Sequence, residues 1–136
     1  MTSHDPEKAA RELLARMSSR DLDGVAELLA DDMEFDLAYA PDMLPMPTRG
    51  RDAFVDMAAN VIGAMFNPLK LEVTTAYPCA DGKTVVLEYT SDGTVTHNGN
   101  RYQNTYAGIF RVNDAGLIEF WREFHNPEKS TRALGG

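Results

Sequence analysis

The sequence predicts an α+β fold in which a curved, antiparallel or mixed sheet packs on three N-terminal helices and encloses a pocket. Three observations lead there. The elements run helix, helix, strand, helix and then four strand-like segments. Helices therefore do not alternate with strands as a doubly wound parallel sheet requires. The dipeptides Asp81-Gly82, Asp92-Gly93, Asn98-Gly99 and Ala115-Gly116 separate the strand-like segments and suit turns. The chain has 136 residues, which suits one domain spanning 1–136. A sheet curled around helices on one face leaves a pocket at its open end.

Each element follows from local chemistry. Asp5 can cap a helix that has Pro6 at its first position. Ala9, Leu13, Leu14 and Met17 then recur at helical spacing. Asp21 can cap a second, short helix with Leu22, Val25, Leu28 and Leu29 on its apolar side. Residues 33–39 (MEFDLAY) alternate as a strand does. Three prolines make 41–48 a loop. A third helix is expected over 52–65, with Phe54, Met57, Ala58, Val61, Ile62 and Met65 on one side. The strand-like segments are 69–77, 83–91, 94–110 with a turn at Asn98-Gly99, and 117–126. Residues 127–136 read as a polar tail.

The final strand, LIEFWREFHN, carries the most information. Strict alternation puts Glu119, Trp121, Glu123 and His125 on one face and Ile118, Phe120, Arg122 and Phe124 on the other. Both faces bear large aromatics, so both are expected to be covered. A carboxyl and an imidazole in apolar surroundings can move protons.

Composition narrows the partners. Thirteen basic residues against 21 acidic ones give a formal net charge of −8, which argues against nucleic acid and anionic membranes. No apolar run approaches the ~20 residues of a membrane span. The N-terminus lacks a secretion signal's basic start and apolar stretch. The single cysteine, Cys79, cannot form an internal disulfide, and a reducing cytoplasm fits. No CxxC or HExxH spacing suggests a metal site.

Three segments, DLDGVAELLADD (21–32), TRGRDAF (48–54) and YQNTYAGIFRVNDAGLIEFWREFHNP (102–127), resemble the SnoaL-like branch of the NTF2-like superfamily. That superfamily includes ketosteroid isomerases, limonene epoxide hydrolases, polyketide cyclases and PhzA/PhzB proteins. The resemblance implies a cone-shaped fold whose pocket is faced by Trp121, Glu123 and His125, with Phe120 and Phe124 outside. Pattern alone favours the reverse. The steroid isomerases' Asp, Tyr and second Asp correspond to Leu37, Leu13 and Gly108, so that route is closed. The Tyr–Asn pair of the epoxide hydrolases becomes Phe35 and Leu37, and their last-strand Asp becomes Glu123. The PhzA/PhzB REF motif matches Arg122-Glu123-Phe124, while their helix His falls on Met57.

Glu123 is thus the first candidate for general acid or base, with a structural strut as its alternative. His125, about 6–7 Å away between Cα atoms, is the second catalytic candidate. Its alternative is a satisfied histidine at the pocket rim. Trp121 is expected as a pocket wall. Phe35, Leu37 and, if the strand stays regular, Tyr39 line the first strand, while Tyr106, Phe110 and Asn104 line the inner face of segment 94–110. Leu13 and Met57 complete the expected ligand-binding set. The expected activity is cofactor-independent acid/base chemistry on a small hydrophobic molecule: isomerisation, cyclisation, dehydration or hydrolysis. The alternative is ligand binding without chemistry. Phe120 and Phe124 on the outer face predict a homodimer.

Overall fold

The computed structural model describes residues 4–135. Met1 to Ser3 and Gly136, the ends of the expected 1–136 domain, lie outside the described residues. Helix α1 (Pro6–Ser19) starts as its capping signature predicts: the Asp5 carboxylate accepts from the Glu7 and Lys8 amides. Leu13 and Leu14 on its inner side are fully buried. Helix α2 (Leu22–Glu27) is capped by Asp21, which accepts from the Gly24 amide. Strand β1 (Leu29–Leu37) and the two-residue β2 (Thr48–Arg49) flank the proline-rich loop. The expected third helix is α3 (Arg51–Met57), a π-helical turn (Ala58–Ile62) and one last turn, α4 (Gly63–Met65). Strands β3 (Phe66–Pro78), β4 (Thr84–Val95), β5 (Arg101–Val112) and β6 (Ile118–His125) follow.

These strands form one six-stranded sheet in the order β2-β1-β6-β5-β4-β3. It is mixed, because β1 pairs with β6 in parallel while the other pairs are antiparallel. Its inner face holds the main core: Leu13 and Leu14 from α1, Phe54 from α3, and Val85, Leu87, Phe110 and Trp121 from the sheet. None of the described helices is long and apolar enough to cross a membrane.

Four local expectations give way. Asp92-Gly93 is not a turn but lies inside β4. A Cβ on Gly93 would lie 2.4 Å from the Pro68 carbonyl, so glycine serves close strand contact there. Residues 127–136 are not merely a tail, since α5 (Pro127–Ala133) forms behind the Asn126 cap. Ala133 packs into a second cluster with Phe66, Val95 and Tyr102. A register shift between Arg111 and Val112 resets the alternation of β6. Ile118 therefore turns inward, fully buried, and Glu119 pairs at 2.7 Å with Arg111. Finally β1 ends at Leu37, so Tyr39 never joins the inner face.

Candidate active site

Trp121, Glu123 and His125 all point into the curve of the sheet. Register fixes their neighbours. Trp121 lies between Phe35 and Phe110, Glu123 between Leu37 and Gly108, and His125 beside Tyr106. One strand further, Leu87 pairs with Gly108 and Tyr89 with Tyr106.

The Trp121 ring is enclosed. Phe35 meets it edge-on at 4.8 Å, Phe110 stacks on it at 5.1 Å, and Phe54 lies at 5.7 Å. These aromatic walls shed water from the adjoining carboxyl. Glu123 keeps some exposed surface as a residue, yet its carboxyl is surrounded by protein. Loss of hydration raises its pKa to about 7, and one hydrogen bond, from the Tyr89 hydroxyl, works the other way. A carboxyl poised there can either give or take a proton near neutrality.

Tyr89 is the functional residue that sequence reading missed. Its signal is present: 85–91 alternates Val85, Leu87, Tyr89 and Ser91 on one face, and Tyr89 is a polar tip in an apolar row. What brings it to Glu123 is Gly108. A Cβ there would lie 2.9 Å from the Tyr89 hydroxyl and 2.7 Å from the Phe110 ring. The phenol thus crosses the space that the absent Gly108 side chain leaves. Gly108→Ala is therefore predicted to push Tyr89 off Glu123 and cost about 1–3 kcal/mol by overpacking. Thermal melts check the cost, and the Glu123 pKa, read by carboxyl NMR, should rise further.

Behind Tyr89 lies a second polar chain. Tyr89 stacks on Tyr106 at 5.0 Å. Tyr106 donates to Ser91 Oγ at 2.8 Å, and Tyr102 lies 2.9 Å from the Tyr106 hydroxyl. Asn104 donates to Tyr102 at 2.8 Å and to the Asn126 carbonyl at 3.0 Å. Burial holds the Tyr89, Tyr102 and Tyr106 hydroxyls above their usual range, so all remain protonated donors at neutral pH.

His125 makes no hydrogen bond to Glu123. Its Nδ1 is buried without a partner, and burial lowers its pKa. Trp121 Nε1 is likewise buried; its N–H lies toward the Tyr89 hydroxyl but forms no well-aligned hydrogen bond. Buried polar atoms are nearly always bonded, so two orphans flanking one carboxyl in a single row stand out.

The remaining expected residues divide. Phe35, Phe110, Leu13, Met57, Tyr106 and Asn104 are buried on the inner side, and Leu37 is half-buried there. Tyr39 is 56% exposed and meets the outer Phe124 edge-on at 6.1 Å, so its placement in the pocket is corrected. Over the end of β1, Leu44 and Met46 of the proline-rich loop pack against the core. Two surface hollows, of about 90 Å³ and 470 Å³, border neither Glu123 nor His125.

Known proteins share this architecture. The uncharacterised protein YesE of Bacillus subtilis is 27% identical over all of this chain and 93% of its own length. The crystal structure of a candidate isomerase from Bacillus subtilis superposes with a TM-score of 0.87 at 28% identity, covering 97% of this chain and 94% of that one. RV0760c of Mycobacterium tuberculosis, crystallised with estradiol-17β-hemisuccinate, gives 0.81 at 19% identity over 93% and 97%. The fold also recurs in a ketosteroid isomerase, a candidate polyketide cyclase and an LEH-like epoxide hydrolase, at 22% identity or less. The model of the SnoaL-like domain matches residues 10–126, and the chain belongs to that family.

Proposed function

We propose that the protein carries out cofactor-independent acid/base chemistry on a small hydrophobic molecule, with Glu123 as the group that moves the proton. The observation that carries this reading is the Glu123 carboxyl itself, inside the sheet, brought to a pKa of about 7 and held by a single Tyr89 donor. A group whose pKa matches the working pH combines the right protonation state with useful driving force. Trp121 Nε1–H is a donor without a well-aligned acceptor and His125 Nδ1 is an unpaired nitrogen. Both suit a polar atom on an otherwise apolar ligand. Proteins of the same fold, one crystallised with a steroid and one an LEH-like epoxide hydrolase, support the ligand class.

The test is turnover of a panel of apolar ketones, enones and epoxides, followed by NMR in heavy water. Glu123→Gln is expected to lower the rate about 10²- to 10⁴-fold. Undiminished turnover in that variant would overturn the assignment. A second reading, binding without chemistry, is favoured by one observation: Glu123 bonds to Tyr89 and not to His125, so no second acid/base group is coupled to the carboxyl. It predicts ligand affinity with no product from any member of the panel.

We also propose a homodimer through the outer sheet face. There the Arg111 and Arg122 guanidinium groups each lie 5.0 Å from the Phe120 ring centroid, and Tyr77 is 50% exposed. A half-covered aromatic band of this kind suits a self-complementary contact. Light scattering at micromolar concentration should give twice the chain's mass. A monomer alone would withdraw the proposal.

A further inference from the structure

The smaller hollow, about 90 Å³, lies between the end of α1, the start of α2, the π-helical turn and the start of β3. Met17, Leu22, Ala58, Ile62, Phe66 and Leu71 give it apolar walls. Arg20 is the one ionisable side chain in its lining, and it is exposed to solvent.

Arg20 differs from the chain's other arginines in two ways. All eight others pair with a carboxylate: Arg11, Arg16, Arg49, Arg51, Arg101, Arg111, Arg122 and Arg132. Arg20 pairs with none among the described residues. It is also the only described non-glycine residue with positive φ, at φ 60° and ψ 30°. The bond from the Asp21 amide to the Arg16 carbonyl makes this a helix ending that glycine usually occupies. Glycine would meet the backbone need without strain. A long cation stands there instead.

That cation is held in place. Its Nη1 donates to the Phe66 carbonyl at 3.2 Å and its Nη2 to the Gly63 carbonyl at 3.1 Å. Guanidinium has five N–H donors, so three remain. The site also depends on Gly63, where a Cβ would lie 2.9 Å from Arg20 Nη2. An oriented, unpaired guanidinium beside an apolar hollow complements a carboxylate with a hydrocarbon tail, because the planar fork fits two carboxylate oxygens.

We propose that this hollow binds small aliphatic carboxylic acids, with the carboxylate on the free Arg20 N–H groups and the tail against Met17, Ala58 and Ile62. The volume equals about three water molecules, so a tail of roughly three or four carbons fits. None of the lining residues belongs to the Glu123 site, and the proposal does not rest on the chemistry proposed there.

The experiment is a titration of the full chain with pentanoate, followed by amide and arginine Nε shifts in NMR. Saturable shifts at Arg20, Gly63 and Leu71 are expected by about 10 mM ligand. Two controls need no variant. 1-Pentanol keeps the tail without the charge, acetate keeps the charge without the tail, and each should bind at least about tenfold more weakly. Arg20→Gln should weaken pentanoate by a similar factor, Arg20→Lys should do so less, and Glu123→Gln should bind it as the wild type does. Equal binding of pentanol and pentanoate, shifts centred on Glu123 and His125, or no saturation in that range would each overturn the proposal.

Discussion

Glu123→Gln is expected to gain stability relative to the wild type as pH rises, a swing of about 3 kcal/mol between pH 4.5 and pH 8.5. The carboxyl has a pKa of about 7 in the folded chain against 4.5 for the ordinary group. The folded state therefore favours the protonated form. Its stabilising contribution is complete below pH 4.5 and is lost as pH rises through 7. Glutamine has no proton to lose, so the variant escapes that loss. It keeps an amide oxygen that can accept from Tyr89, and its NH₂ group introduces a constant cost of about 1–3 kcal/mol if unpaired. That constant affects absolute stability but not the swing. His125 titrates in both proteins and largely cancels from the difference. For a chain of this size the swing is worth roughly 10 °C in relative Tm. Melting curves of both proteins at the two pH values check it. A Tm difference independent of pH would mean that the carboxyl ionises freely and is no poised acid.

The inner placement of that carboxyl was legible only through the family resemblance. Apolar pattern alone selects the Phe120–Phe124 face as core. The reason lies in side-chain chemistry that alternation does not see. Arg111 and Arg122 each set a guanidinium over Phe120, and each is held by an acid, Glu119 at 2.7 Å and Asp36 at 2.9 Å. Aromatics can therefore sit outside while a glutamate sits inside. The Tyr89–Glu123 contact was hidden for a different reason. The two residues are 34 positions apart and lie on strands separated by β5. Their meeting depends on the missing side chain of Gly108, and Gly108 itself reads equally as sheet curvature or as space. Helix α5 was readable in principle. Asn126-Pro127 repeats the cap-and-proline signature of Asp5-Pro6, but only two apolar residues, Ala133 and Leu134, follow it. The displaced Glu119 was not readable, because a one-residue bulge leaves no mark on composition.

Trp121 is the side chain whose loss should cost most. Trp121→Ala removes a ring that is 2% exposed and touches Phe35, Phe54 and Phe110. The expected cost is about 3–5 kcal/mol, or roughly 10–20 °C in Tm. Trp121→Phe separates packing from polarity. It keeps a ring against Phe110 but deletes the Nε1–H, which is buried without a well-aligned acceptor. A buried unpaired donor costs about 1–3 kcal/mol, so its removal offsets much of the lost volume, and Trp121→Phe should cost less than about 1.5 kcal/mol. If the indole N–H serves a bound ligand, the same variant should be close to wild type in Tm when empty and clearly weaker in binding apolar ketones. Calorimetry with and without ligand reads both quantities on one sample. Similar losses of stability in the two variants would show that the N–H is satisfied in solution, and the polar end of this aromatic wall would then have no role in recognition.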